Sequence, residues 1–309
     1  MIKQPKVSVF MPAYNQEHLI GESIESVINQ TYTGWELVIG DDCSTDNTLG
    51  VAREYQKKLP EKIKVFGNKV NLGITGNCNE LLKRCSGDYI AFTAGDDLFL
   101  PEKLEKQINL MESRPECVLS YHDVEVFDSK SGEVIRHWNS GFNAADPVTG
   151  KADDVAKMLV LHGTAFMSAL SVVVRRSALP ASGYDFRVPI ASDWLMWIET
   201  CANSKGSVCF LDDSLARYRK HQGSITHNTR EDITDQMVSL GIVEARYPWL
   251  REVARRRRGY EYYRQGVTSV LSNDFAIGRS QLLLGMRTYV WSWKSLAWWI
   301  FSWFKQVSS

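Results

Sequence analysis

From Gly87 to Asp97 the chain reads GDYIAFTAGDD. Tyr89 to Thr93 is a short run of aromatic, branched and small residues, with Gly87-Asp88 before it and Gly95 behind it. A run of this kind is a strand buried on both faces. It ends in two adjacent carboxylates, Asp96 and Asp97, with no basic residue until Lys103. Neighbouring anions repel unless a cation or a set of donors lies opposite, and a hard divalent metal carrying phosphate oxygens would meet that need. A solvated Asp-Asp turn is the plainer account of the pair by itself. The surrounding chain decides against it.

Upstream, strand and helix patterns alternate with short connections. Val7–Met11 is a strand closed by Pro12, and Leu19–Gln30 is an amphipathic helix. Trp35–Gly40 is a strand stopping at Asp41-Asp42, followed by a helix that Ser44 or Asp46 can cap and that runs through Lys58. Ile63–Phe66 is a strand, and Ile74–Arg84 a helix. That alternation gives an α/β fold with a mostly parallel central sheet flanked by helices. Ligands of open α/β sheets sit beyond the carboxyl ends of the strands. Pro12-Ala13-Tyr14-Asn15, Asp41-Asp42 and Asp96-Asp97 each stand at such an end, so three polar clusters should converge on one edge.

Downstream, Pro101 starts a helix to Ser113, and Cys117–Phe127 and Glu133–Trp138 are strands joined by a turn at Asp128–Gly132. Gly141–Asp154 is expected as a loop over the site, and Ser168–Arg175 as an apolar strand. Asp193 opens a helix over Trp194–Asn203, where a carboxylate can be a plain helix cap. Arg217–Ser224 (RYRKHQGS) reads as a basic loop with a glycine turn, suited to clamp phosphate.

Of the 309 residues, 44% are hydrophobic and 23% charged, and the formal net charge is zero. The charge is uneven: Arg246 onward holds 11 Lys/Arg against 3 Asp/Glu, leaving the preceding part acidic. An acidic body argues against nucleic acid as a partner. The six cysteines have no CxxC spacing, so reduced thiols are expected, with neither a disulfide framework nor a zinc site. The first residues lack the apolar core of a signal peptide, and no apolar stretch is long enough to span a membrane.

The last third changes character. Arg230–Gly285 reads as helical throughout and contains the run Arg255–Arg258. From Trp291 to Val307, Trp293, Leu296, Ala297, Ile300, Trp303, Phe304 and Val307 share one helical face. Ser292, Lys294, Ser295, Ser302, Lys305 and Gln306 share the other. Such a helix can pack on the body or lie in a membrane interface. Its tryptophans and the preceding arginines favour the membrane.

Together these residues resemble the family 2 glycosyltransferases of the GT-A fold. The matching stretches are VSVFMPAYNQE, QTYTGWELVIGDDCSTDNT, NLGITGNCNELLKRCSGDYIAF, TAGDD and SDWLMW. Their order and combination carry the resemblance, since any one alone is weak. It implies a catalytic domain over residues 1–228, with a nucleotide-sugar half (1–97) and an acceptor half (98–228), and a helical extension over 229–309. The implied activity is inverting transfer from a nucleotide sugar, UDP being commonest, to a glycan or lipid-linked glycan acceptor, with Mn²⁺ or Mg²⁺. By position, Pro12, Ala13 and Tyr14 frame base and ribose. Asp42 meets the base with Asp41 beside it, Asn77 belongs to the same nucleotide site, and Asp96 meets the ribose. Asp97 holds the metal, Asp193 is the base, and His221 and Arg219 contact the diphosphate. Gly95 departs from the family, whose metal motif often has aspartate there. Similar enzymes extend lipid-linked surface polysaccharides, which implies the cytoplasm and the inner face of its membrane. The rival readings are a metal-dependent nucleotidyltransferase, against which PAYNQE lacks a glycine-rich loop, and a nucleotide-sugar-binding module without chemistry.

Overall fold

A computed structural model gives the architecture; it describes residues 6–141, 145–190, 192–221, 229–289 and 293–308. The chain divides into two compact units, Met1–Asn228 and Thr229–Ser309. In the first, β1 (Val7–Ala13), α1 (Ile20–Ile28), β2 (Trp35–Asp41), α2 (Thr48–Lys58), β3 (Ile63–Gly67), α3 (Gly73–Leu82) and β4 (Tyr89–Phe92) alternate as expected. There follow β5 (Leu98–Phe99), α4 (Lys103–Ser113), β6 (Cys117–Asp128), β7 (Val134–His137), β8 (Gly150–Lys151), α5 (Ala152–His162), β9 (Val173–Arg175), α6 (Ser192–Ala202) and β10 (Ser207–Lys220).

The strands form one sheet in the order β3-β2-β1-β4-β9-β6-β10-β5, with β7 on β6 and β8 on β10. β3, β2, β1 and β4 are parallel. β9 is antiparallel to both β4 and β6, so β6 regains the direction of β4, and β10 runs parallel to β6. The carboxyl ends of β1, β2, β4, β6 and β10 therefore lie on one edge. Every residue of β2 and β4 is buried, as a strand covered on both faces requires.

Pro12 does not close β1, which runs on to Ala13 in register with Asp41. The main chain of Phe10 and Pro12 faces β4, but β4 has ended at Phe92 before it would need the amide that proline lacks. The second helix begins at Thr48, after Asn47 at the cap position; the Thr48 N–H and hydroxyl both reach Asp46 Oδ1 from one residue outside the cap.

Other expectations are corrected. The stretch 141–154 is not all loop: Gly150–Lys151 pairs with Ser207–Val208 at the amino end of β10, away from the carboxyl edge, and α5 begins at Ala152. Residues 142–144 lie outside the described residues. Ser168–Arg175 splits into a 3₁₀ turn, Ala169–Ser171, and the three-residue β9. Arg217–Lys220 is not a loop but the end of β10, while Gln222–Ser224 lie outside the described residues.

At the amino edge, opposite the site, Glu36 on β2 is buried and ties the sheet together. Its carboxylate accepts from Ser8 (2.6 Å), the Ser86 N–H (2.8 Å) and Lys64 (2.7 Å), and Lys6 lies 2.7 Å away. Burial alone would raise its pKa, but these donors outweigh it and hold the carboxyl well below the ordinary value of 4.5. A depressed carboxyl contributes stability above its unfolded pKa, and that contribution is lost as pH falls towards the folded value. Glu36→Gln is expected to cost about 2 kcal/mol at pH 7, a figure kept low because both lysines are partly solvated. Denaturant titrations of both proteins should show that difference shrinking as pH drops below 4.5.

The second unit comprises α7 (Thr229–Arg246), a 3₁₀ turn at Pro248–Leu250, α8 (Arg251–Leu271), α9 (Phe275–Thr288) and α10 (Trp293–Ser308). It is thus three helices, not one continuous run, before α10. α8 and α9 meet through glycines spaced seven apart. A side chain at Gly266 would press on the Gly278 carbonyl, at Gly278 on the Gly266 carbonyl, and at Gly285 on the Gly259 carbonyl. The four-arginine run is not a uniformly solvated face: Arg257 pairs with buried Glu261 and Arg258 with Glu244, while Arg255 and Arg256 are exposed.

α10 packs the other way round from its sequence pattern. Ser295 and Ser302, from the polar face, are fully buried, and Trp298 and Trp299 pack on Val270, Phe275 and Leu282. Lys305 donates to the Val270 and Leu271 carbonyls at the end of α8. Serine is small enough to let helix axes approach. Trp293 (71% exposed), Leu296, Ile300, Phe301 and Phe304 consequently face outward. Ser292 and the side chain of Val307 lie outside what the structure describes.

Candidate active site

The loops after β1 and β2 are laced together. Asn15, at positive φ, donates its N–H to Ser44 Oγ (2.9 Å) and accepts from the Thr45 N–H (2.9 Å). The Gln16 N–H reaches Thr48 Oγ1 (2.7 Å), and Glu17 and Asn47 close the same seam. This lacing brings Pro12 and Ala13 against Asp41 and Asp42: the Asp42 N–H donates to the Ala13 carbonyl (3.0 Å) and the Gly95 N–H to that of Pro12 (3.2 Å). The three polar clusters do converge. Tyr14 stands at the rim, 47% exposed.

Asp42 is buried, and its Oδ1 accepts from Asn68 Nδ2 (2.9 Å) and the Leu72 N–H (2.8 Å). Asp41 accepts the Ser44 N–H at Oδ2, while its buried Oδ1 has no hydrogen-bond partner among the described residues. A buried carboxylate oxygen left this way calls for an outside donor. Asn77 accepts from Asn68 (3.0 Å) and donates to the Gly40 carbonyl (2.8 Å), so it supports Asp42 from beneath.

Asp97 is 6% exposed and accepts the Arg219 main-chain N–H (2.9 Å). Burial, then the adjacent Asp96, push its carboxyl well above the usual range, against the pull of Arg219. His221 Nε2 lies 2.9 Å from Asp96 Oδ2. Two of the cations expected to clamp phosphate are engaged elsewhere. Arg219 donates Nε to the Asp96 carbonyl (2.8 Å) and Nη2 to Glu22 (2.6 Å), and Arg217 pairs with Glu125 (3.1 Å). Both guanidinium groups lie over the ring of Phe127. Arg219 thus braces the carboxylate pair instead of standing open to a phosphate.

Asp193 sits in the first turn of α6 and is partly buried. Cys78 on α3 lies near it as well as near Asp42: burial, then the charges of Asp193 and of Asp42, push that thiol up. One buried thiol therefore lies within the fields of both carboxylates.

The profile of Glycosyl transferase family 2 matches residues 8–171, more than half of the chain. The chain belongs to glycosyl transferase family 2. WfgD of Escherichia coli, named a UDP-Glc:α-D-GlcNAc-diphosphoundecaprenol β-1,3-glucosyltransferase, is 31% identical over 237 residues, covering 76% of this chain and 85% of WfgD. EpsE of Bacillus subtilis is 43% identical over 124 residues, 40% of this chain and only 45% of EpsE, so that match spans under half of the relative. Staphylococcus aureus TarS in complex with UDP-GlcNAc superposes with a TM-score of 0.62 at 19% identity, over 96% of this chain and 79% of that one. That likeness bears out the GT-A fold.

For this family 2 glycosyltransferase the donor set fits a divalent cation. Asp96 and Asp97 supply adjacent hard oxygens at the sheet edge, and burial followed by the neighbouring Asp96 raises the Asp97 carboxyl, which a cation there would relieve. No group of three or more His, Cys, Asp or Glu side chains that could hold a metal ion exists among the described residues. Gly95, where the family often has aspartate, admits Gln16 instead: a Cβ there would overlap the Gln16 carboxamide. Sequence reasoning missed Gln16, Glu22 and Asn68. Each is an ordinary polar residue in its own stretch, and only the folded chain sets Asn68 against Asp42, Gln16 against Gly95 and Glu22 against Arg219.

Proposed function

We propose that this family 2 glycosyltransferase moves a sugar from a UDP-sugar, with inversion, to a hydroxyl of a lipid-linked glycan in surface-polysaccharide synthesis. The observation that carries the reading is the meeting of Asp41-Asp42 and Asp96-Asp97 at one sheet edge, with Asp193 held beyond α3. Asp42, with Asp41, Pro12, Ala13 and Tyr14 around it, takes the base and ribose, and the orphan Asp41 oxygen suits a donor from that ligand. Asp96 takes a ribose hydroxyl. Asp97 would hold Mn²⁺ or Mg²⁺, which when bound supplies positive charge opposite the diphosphate. His221 completes the diphosphate side.

Asp193 accepts the proton of the acceptor hydroxyl as its oxygen bonds to the anomeric carbon and the bond to the diphosphate breaks, its electron pair leaving with UDP. Attack opposite the leaving group inverts that carbon. The names of WfgD and TarS's ligand support UDP and a lipid diphosphate acceptor. A mannosyltransferase of Pyrobaculum calidifontis in complex with GDP-Man and Mn²⁺, TM-score 0.60 at 14% identity over 96% of this chain and 79% of that one, has the same fold. A calorimetric screen of nucleotide sugars with and without Mn²⁺, followed by product analysis, tests the donor. Preference for a GDP-sugar would overturn it, and donor binding with neither transfer nor slow hydrolysis would leave only a binding module.

The acceptor reading extends to the tail. No helix of the described residues is long and apolar enough to cross a membrane. α10 has 16 residues, about 24 Å of helix, and should lie flat with its outward apolar face in the headgroup layer of the inner leaflet. Arg255 and Arg256 add attraction for anionic lipid that salt screens. Sedimentation with anionic vesicles should show binding that weakens with salt, and changing Trp293, Ile300 and Phe301 to serine should lower it by about tenfold or more. Because those side chains are exposed, the melting temperature should hold. A fall in melting temperature with unchanged vesicle binding would place the face inside the protein's own packing.

A further inference from the structure

Asn77 and Asn79 stand two residues apart on α3, which sets them about 200° apart around its axis. Asn77 faces β2, where its amide reaches the Gly40 carbonyl. Leu81, one turn on, covers the same glycine, and a Cβ at Gly40 would come within 2.7 Å of it. Asn79 faces the opposite way and clasps one residue of another segment at both ends. Its Nδ2 donates to the Tyr184 carbonyl (2.9 Å), and its Oδ1 accepts the Tyr184 N–H (2.8 Å). Thr75, one turn before Asn79 on that side, donates to the Val188 carbonyl (2.8 Å). Gly183 sits at φ +68°, and a side chain there would strike Asn79 Oδ1.

The strand carrying Asp41 and Asp42 and the segment leading into Asp193 thus grip one short helix from opposite sides. A glycine lies wherever an asparagine lands. We propose that α3 is a spacer that fixes the position of Asp193 relative to the nucleotide half, with Asn79 and Thr75 as positioning residues for the transfer step. The inference rests on Asp193 being the base. A buried asparagine can also serve only to satisfy loop backbone groups. What exceeds that role is the pairing: residues on one helix address both halves of the site, and all are buried or nearly so. A base misplaced by about 1 Å can lose on the order of 10² in rate.

The test uses the full chain, with Asn79→Ala, the near-isosteric Thr75→Val, and Gly183→Ala, which pushes on the clasp with Asn79 intact. Each is made alone and with Asp193→Asn. The readouts are kcat, UDP affinity and melting temperature. Asn79→Ala and Gly183→Ala should each lower kcat by roughly 10- to 100-fold, and Thr75→Val by several-fold, with UDP affinity within about twofold. On the Asp193→Asn background none should lower kcat further, because a base already absent cannot be misplaced. Losses that multiply on that background, or UDP affinity falling in step with kcat, would overturn the spacer role. Should Asn79→Ala not fold, Thr75→Val carries the same test. Near-normal turnover of Asp193→Asn alone would remove the base assignment, and the spacer with it. Multiplying losses beside a crippled Asp193→Asn would remove only the spacer.

Discussion

Asp193→Asn is expected to bind UDP-sugar as the wild type does while turning over roughly 10²-fold more slowly or worse, the scale of a lost general base. Asparagine keeps the size of the side chain and can still accept the Trp194 N–H at 2.7 Å, so the first turn of α6 should stay formed. The rival role for this carboxylate is favourable charge at a helix start, worth about 1 kcal/mol of stability and nothing in rate. Turnover and melting temperature together separate the two. A slow enzyme of unchanged melting temperature supports the base, and a normal rate with lowered melting temperature makes Asp193 a cap.

Asp97→Ala should weaken UDP binding in Mn²⁺ by roughly 10²-fold, the size expected when a cation worth several kcal/mol loses its anchor. In EDTA the same substitution should change affinity little. Asp97 also accepts the Arg219 main-chain N–H, so Asp97→Asn, which keeps an acceptor there, is the companion variant. It should behave as alanine does in Mn²⁺. Equal losses with and without the cation would show that Asp97 works on the nucleotide without metal, through its tie to Arg219 and β10.

Much of the first hundred residues was legible because each strand is a buried apolar run between turn residues, and because parallel order follows from short alternating connections. The convergence of these carboxylates on one edge was legible for the same reason, since they stand where those runs stop. β10 was not. Its middle, Asp212-Asp213-Ser214, sits where the pairing with β6 slips register between Leu211 and Ser214, and again before Ala216. Polar residues at such slips look like a turn, so Arg217–Lys220 looked like a loop. α5 did carry helix signals, with Asp153 and Asp154 in its first turn and Gly163 at positive φ just past its end. They were absorbed into the glycine- and asparagine-rich stretch before them. In α10 the division into two faces was legible, but not that the serine face packs inward, since close helix packing favours serine's small size over its hydroxyl. Glu36 shows the converse, a charge inside a strand whose donors come from residues 6, 8, 64 and 86.

The glycine-lined seam between α8 and α9 bears on where the second unit can work. A helix pair held by water's exclusion of apolar side chains slackens once hydrocarbon replaces the water around it. Glycines here also let main chain approach main chain, with Val270 and Leu282 closing over them, so part of the cohesion is dispersion between closely fitted surfaces. That part depends little on which solvent surrounds it. If α10 meets a lipid headgroup layer as proposed, that close fit would help α8 and α9 keep their shape on either side of the passage.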